Sequence, residues 1–475
     1  MGRDAPGLAT DSQFIEKIEH TFKAADADLL TQAYTFTQAK ACNGNSVGYK
    51  AADLLFDQAA DATTIAGALL APLLWKNLTD IGHVREHFGP YVATALEDLR
   101  DAFFSPIETQ PCESENIHAL LVSIDGIPRK AILYITFRLL ALECAIDECE
   151  TTARQMAQET LDLLVPIANR LSLGDLRRRL EDACFQVLDP HDYEKLREKV
   201  FPIQSEDDKC LEILLSGVKR LLANNKIQGR VQGRTKSLHG IRCKMTRTGK
   251  TLEEIMDRIG LRVIVTSVPE CYTVLGLLHA HFKPIPGTFD DYIGLPKDNG
   301  YQSLHTCVYP VREISHKPIE FQVRTELMHL EAEHGTAAHW RYKTEVAAER
   351  DYHRTQWMEG LVHQHREAAS SEAFIERLHR QVFRDHLVVF GNGGRIVRIA
   401  ENATVRDYLK IINAHVSRDV PVKVNGRVVT LDCALRDGDS IEVLTGETTV
   451  GLDGKLTVSG IRSLPDARTH GFDFF

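Results

Sequence analysis

The chain has 475 residues, with 56 Lys and Arg against 66 Asp and Glu, and a formal charge of −10. Hydrophobic residues make up 43% and charged residues 26%, which fits a globular chain of roughly three domains and excludes a disordered one. The longest nearly unbroken apolar stretch, Gly67 to Trp75, contains Pro72 and is too short to span a bilayer; the N-terminus lacks a signal-peptide core, and none of the ten cysteines forms a C-x-x-C pair. The composition therefore predicts a cytoplasmic chain with reduced thiols and no membrane partner.

Residues 1–195 read as all-helical. Leu161, Leu164, Val165, Ala168 and Leu171 recur at helical spacing, as do Leu173, Leu176 and Leu180. Pro111 to Asn116 is the expected internal loop. Residues 196–345 change character. Leu261–Val265, Tyr301–Tyr309 and Ile319–Thr325 are β-rich runs with helical patterns between them, as at Cys271–His281, so this is a mixed α/β domain. Residues 346–382 lack proline and read as a connecting helix. Residues 383–447 are short strands punctuated by Gly391–Gly394, Asn425-Gly426 and Asp437-Gly438, a small β-rich module, and 448–475 are expected to be a disordered tail.

Five local features carry chemistry. Residues 226–250 hold Lys226, Arg230, Arg234, Lys236, Arg242, Lys244, Arg247 and Lys250, no acid, and glycines between. In an acidic chain such a window wants an anion. A polyphosphate fits, and so does an RNA-contacting patch or a solvated basic face. In Ile319–Thr325 strict alternation puts Glu320, Gln322 and Arg324 on one side, a catalytic wall or the polar side of a half-buried strand. Tyr301, Ser303 and His305 share a strand face by the same period, either a nucleotide pocket or cross-strand packing. Asp257, just before the strand at Leu261, suits Mg²⁺, which takes one or two carboxylates plus substrate phosphates, or is a cap or surface charge. The loop from Lys283 to Gly300 carries Asp290-Asp291.

Together these segments resemble the long RelA/SpoT homologues. The matching runs are GRTKSLHGIRCKM (233–245), MDRIGLRVIV (256–265), the run from Cys271 to Thr306, and IEFQVRTELMHLEAEHGTAAHWRYK (319–343). VKVNGRVVTLDCALRDGDSIEVLTG, at the end of 387–446, resembles the family's TGS module. The resemblance implies a multidomain α and α+β protein: an all-α degenerate HD domain, a mixed α/β nucleotidyltransferase-like synthetase domain and a β-grasp-like TGS domain. It implies a (p)ppGpp synthetase that moves pyrophosphate from ATP to the 3′-hydroxyl of GDP or GTP and releases AMP. By motif, Arg234 stacks on adenine, and Lys236, Lys244 and Arg242 serve ATP. Asp257 and Glu320 bind Mg²⁺, with Glu320 as base. Tyr301 stacks on guanine. Lys297, Asn299 and His305 contact the acceptor, and Gln322 and Arg324 line its wall. Attack on a polyphosphate is served mainly by positioning and cations, which suits this set.

Departures refine the expectation. His239-Gly240-Ile241 replaces a serine-containing run, and Thr288-Phe289-Asp290-Asp291 resembles the acidic form of synthesis-only members. In the helical domain Ala71-Pro72, Trp75-Lys76, Phe137, Ala141 and Lys50 stand where the family's hydrolase has metal-binding and acidic residues, so a folded but hydrolytically silent domain is expected. Further C-terminal regulatory domains are not expected. Asn413 stands where the TGS module commonly has a histidine, which puts tRNA or ribosome contact in question. Two alternatives stand beside this reading: transfer to another 3′-hydroxyl, such as an adenine nucleotide or the tRNA 3′ end, and a catalytically silent tRNA- or ribosome-sensing protein.

Overall fold

The computed structural model describes residues 11–40, 46–97, 113–124, 126–145, 150–249, 251–252, 255, 259–311, 317–335, 345–383, 386–391, 395–400, 403–412, 421–436, 438–450 and 456–462. Asp257 and Asn413 lie outside these residues. Two compact units divide the chain, Met1–Val382 and Phe383–Phe475.

Unit one begins with helices. They include α1 (Asp11–Thr21), α2 (Ala24–Lys40), α3 (Ser46–Asp57), α4 (Ala62–Trp75), α5 (Ile81–Phe88), α6 (Pro90–Leu96), α7 (Glu113–Ile124), α8 (Pro128–Ala145) and α9 (Glu150–Glu159). The expected loop at 111–116 is instead helical from Glu113, where acidic residues favour a helix N-terminus; residues 111 and 112 lie outside the described residues. α4 and α8 are buried nearly all round and form the centre of one apolar core. After a π turn at Thr160–Leu164 come α10 (Val165–Arg170), α11 (Gly174–Leu188) and the 35-residue α12 (Pro190–Asn224). The boundary expected at 195/196 falls inside α12.

The mixed sheet follows, with β1 (Gly229–Thr235), β2 (Ile259–Val265), β3 (Asp290–Asp291), β4 (Leu304–Val308) and β5 (Ile319–Thr325) in the order β1-β2-β5-β4-β3. Only β2 and β5 pair in parallel. Leu261, Val263, Val265, Ile319, Phe321 and Val323 share the apolar face. They pack on α14 (Val268–His281) through Cys271, Val274 and Leu278, and on the end of α12 through Leu214, Val218 and Leu222. The alternation that buries these residues turns the even-numbered ones to the opposite face. Between β1 and β2 lies α13 (Leu238–Thr248), capped by Ser237; α15 (Glu326–His334) follows β5, capped by Thr325.

The connecting segment is two helices, α16 (Glu345–Glu367) and α17 (Ser371–Phe383). Ser370 Oγ accepts from Ala373 N and restarts the helix, a cap that breaks the single helix expected. Met358, Leu361, Phe374 and Leu378 return to the helical core.

Unit two contains the hairpin of β6 (His386–Phe390) and β7 (Ile396–Ala400), helix α18 (Val405–Ile411), the sheet of β8 (Val422–Val424), β9 (Arg427–Val429) and β10 (Ile441–Val443), and the pair β11 (Thr445–Val450) and β12 (Leu456–Arg462). Asn425-Gly426 turns β8 into β9 with φ of 51° and 77°, as the dipeptide predicts. Within the expected tail, Thr448–Val450 of β11 pair with Leu456–Val458 of β12, while residues 451–455 and 463–475 lie outside the described residues. Residues 392–394 and 437 of the two other turn signals lie outside the described residues.

Backbone meets backbone where the turn between α10 and α11 approaches the end of α15. Gly335 has φ +51°, and a Cβ there would lie 2.1 Å from Leu171 O. Gly335→Ala is expected to destabilise the folded chain by roughly 3 kcal/mol, read as a lowered urea midpoint.

Candidate active site

Strand register assembles the site. Arg234, Gly260, Glu320 and Cys307 stand in one row across β1, β2, β5 and β4. Gln232, Arg262, Gln322, His305 and Asp290 form the next row on the same face. Gly260 keeps the first row open: a Cβ there would lie 3.4 Å from Arg234 O and 3.7 Å from Glu320 Oε2.

A cavity of about 260 Å³ opens over this face, and Arg234, Lys297, Asn299, Tyr301 and His305 all line it. The basic window and the Lys297–His305 segment therefore meet. Tyr301 reaches its place differently from the expected strand: β4 begins only at Leu304, and Tyr301 N donates to the Asn299 side chain at 3.1 Å, a local turn bond that replaces a ladder bond. Ser303 does not line the cavity. It is fully buried, and its hydroxyl donates to Val323 O at 3.2 Å.

Tyr301 Oη lies 2.8 Å from His305 Nε2, and His305 Nδ1 lies 3.5 Å from Glu320 Oε1. Gln322 Nε2 donates to Glu320 Oε2 at 3.1 Å. An amide and an imidazole thus orient a half-buried carboxylate. Glu320 supplies the hard oxygen donor that Mg²⁺ accepts, beside the opening that Gly260 leaves, so this residue fits the ion. Lys297 Nζ sits 4.7 Å from the centre of the Tyr292 ring, bringing a cation to the cavity mouth.

Several expected contacts take other roles. Gln322 is buried and orients Glu320. Arg324 is fully buried; its guanidinium lies 5.9 Å from the centre of the Tyr301 ring and supports it from beneath. Asn299 lines the cavity, but its Nδ2 donates to Asn169 O at 3.3 Å. Arg242 pairs with Asp189 at 2.5 Å and covers the Phe185 ring, which ties α13 to the helical domain. Two residues along a helix is about 200°, so Lys244 projects from a different side of α13. Neither Lys236 nor Lys244 lines the cavity.

Arg177, Arg178, Arg262 and Glu333 also line it, and the sequence reading missed them. Glu333 Oε2 accepts from Arg178 Nη2 at 2.5 Å; its Oε1 lies 2.9 Å from Nη2 of both Arg262 and Arg324. Burial pushes the Glu333 carboxyl up, but the three arginines outweigh it and hold the group far below the ordinary carboxylate range. Burial and the neighbouring Arg324 lower Arg262 to about 10. Burial and the same two arginines lower His329, whose Nδ1 is 2.7 Å from Arg324 Nη2, to about 3. Among the described residues Arg262 Nε and Arg324 Nε and Nη1 are buried without hydrogen-bond partners. The available signal was a charged residue inside an apolar strand, Arg262 in Leu261–Val265.

In the helical domain, Ala71, Pro72 and Phe137 are buried in the apolar core, and the Phe137 ring meets Trp75 edge-on at 4.6 Å. Lys50 is exposed. No group of three or more His, Cys, Asp or Glu gathers for a metal among the described residues, and no described helix is long and apolar enough to cross a membrane.

A polar sheet face beneath a cation-lined cavity, attached to a helical domain, defines the class. Family models for a region found in RelA/SpoT proteins, for the HD domain and for the ThiS family match residues 233–347, 27–174 and 387–445. The chain belongs to the RelA/SpoT family, with HD, synthetase and TGS domains. It is 33% identical over 402 residues to a probable guanosine-3′,5′-bis(diphosphate) 3′-pyrophosphohydrolase of Synechocystis, covering 83% of this chain and 52% of that one. It is 30% identical over 410 residues to the GTP pyrophosphokinase of Escherichia coli, covering 84% and 55%. The small alarmone synthetase 1 of Bacillus subtilis, solved with its product pppGpp, matches 36% of this chain and 96% of its own at 24% identity and a TM-score of 0.27. The chain thus spans about half the length of the curated relatives it matches.

Glu333→Gln leaves three guanidiniums around a neutral amide and is expected to cost roughly 3–5 kcal/mol of stability in urea unfolding. His329 binds its proton near pH 6.5 when unfolded and only at about 3 when folded, so the unfolded chain gains protons first and stability falls as pH drops below 6.5. The slope of urea midpoint against pH in that range is expected to be shallower in His329→Gln.

Proposed function

We propose that the chain is a Mg²⁺-dependent (p)ppGpp synthetase that transfers pyrophosphate from ATP to the 3′-hydroxyl of GDP or GTP. The observation that carries this reading is the meeting of Arg234 with Lys297, Tyr301 and His305 around one cavity, with Glu320 in the adjoining strand row. Arg234 serves the adenine, and Lys236 and Lys244 the phosphates. Tyr301 offers a ring, held by Arg324 and His305, for a guanine to stack on. Asp257 and Glu320 would hold Mg²⁺, which when bound draws negative charge from the polyphosphate.

Glu320 accepts the proton of the 3′-hydroxyl as that oxygen bonds to the β-phosphorus of ATP and the bond from this phosphorus to the bridging oxygen breaks, so that AMP leaves. His305 and Gln322 fix the two carboxylate oxygens, which holds the base in one orientation. We further propose that the HD domain does not hydrolyse (p)ppGpp, because side chains without metal-binding oxygens or imidazoles occupy the positions of Ala71, Pro72 and Phe137 in a packed core.

The test incubates the 475-residue chain with labelled ATP, Mg²⁺ and, in turn, GDP, GTP, an adenine nucleotide or tRNA. Labelled pyrophosphate is expected on guanine nucleotides, and Glu320→Gln is expected to lower kcat by about 10³-fold or more without an equal rise in KM. Label on tRNA or an adenine nucleotide alone would replace the acceptor, and no label at all would reject the enzyme. Mn²⁺ with ppGpp is expected to release no pyrophosphate; its release would overturn the silent HD domain.

A further inference from the structure

We propose that Ser172 and Arg354 are positioning residues that clamp the acceptor turn, so that α16 sets the affinity of the synthetase site for its acceptor nucleotide. This inference deepens the reading of the cavity above and rests on it.

The turn from Lys297 to Tyr301 brings Lys297, Asn299 and Tyr301 to the cavity, yet it is an irregular segment that belongs to no strand. Irregular backbone keeps a fixed shape only where its polar groups find partners. Its three leading carbonyls are all taken. Lys297 O accepts from Gly300 N at 2.7 Å, within the turn. The next two accept from outside the mixed domain. Arg170 Nη1 donates to Asp298 O at 3.1 Å. Ser172 Oγ donates to Asn299 O at 2.6 Å, and Arg354 Nη2 reaches both Ser172 Oγ at 3.1 Å and Asn299 O at 3.5 Å.

Two of these outside donors, Ser172 and Arg354, come from constrained places. Ser172 adopts φ +58°, a conformation that β-carbon-bearing residues rarely hold, and this turn aims its hydroxyl at Asn299. Arg354 is buried on α16. Trp357, one turn further along α16, lies under the Arg170 guanidinium with 5.6 Å to the ring centre. One face of the connecting helix therefore supports both arginines whose hydrogen bonds fix the turn. A shift of α16 would loosen Asn299 and its neighbour Tyr301 without touching Arg234, which stands on β1 at the far edge of the sheet.

The test uses the full 475-residue chain and measures KM for guanine acceptor and for ATP separately, together with equilibrium binding of GDP. Arg354→Met is expected to raise the acceptor KM and the GDP dissociation constant about ten-fold, the scale of one charge-assisted hydrogen bond, with the ATP KM changed less than about two-fold. Arg354→Lys, which keeps a cation for Ser172 Oγ, is expected to recover part of the loss. Should Arg354→Met fail to fold, Ser172→Gly decides by the same criterion, since glycine accepts the positive φ and removes the small side chain that carries the hydroxyl. An unmoved acceptor KM, or equal rises for both substrates, overturns the clamp while leaving the synthetase reading intact. An unsubstituted chain that neither binds nor uses a guanine nucleotide overturns that reading, and the clamp with it.

Discussion

One carboxylate ties the synthetase face to the helical domain. Glu333 on α15 receives Arg178 from α11, Arg262 from β2 and Arg324 from β5, so three elements distant in sequence converge on two oxygens. Buried ions are costly unless paired and hydrogen-bonded, and removing this one partner would leave three like charges facing one another. The cluster is therefore a condition for the cavity to exist. It explains how Arg324 can lie fully buried beneath Tyr301, and why the sheet's polar face is inside the molecule instead of facing water.

The remaining architecture follows from strand parity. Odd-numbered residues of β2 and β5 enter the apolar core with α14 and α12, and Gly260, Arg262, Glu320, Gln322 and Arg324 are left on the other face. A shift of one residue in either strand would exchange the two sets, so the core that stabilises the sheet also fixes which side chains face the cavity.

This parity is why so much was legible beforehand. Strict alternation in Ile319–Thr325 put Glu320, Gln322 and Arg324 on one side, and the acid-free basic window contained Arg234, which the family resemblance singled out. Register, which is set by pairing partners far away in the chain, was not legible. It took the structure to show that Gln322 orients Glu320, that Arg242 is spent on Asp189 and Phe185, and that Tyr301 reaches the cavity from a turn. The contribution of Arg178, Ser172 and Arg354 was equally hidden, because each acts across a contact between segments more than a hundred residues apart. The break at Ser370 and the pairing of β11 with β12 depend on a single cap and on strand complementarity, signals that composition averages away.

The unbroken α12 has a mechanical meaning. Pro202 interrupts its hydrogen bonding, and from there to Asn224 the rod runs for roughly 33 Å, seated on the sheet through Leu211, Leu214, Val218 and Leu222. Bending at that proline by about five degrees would swing the far end by roughly 3 Å, comparable to the length of a hydrogen bond. A lever of this kind converts a small rearrangement among the N-terminal helices into a displacement that the cavity-lining strands would feel.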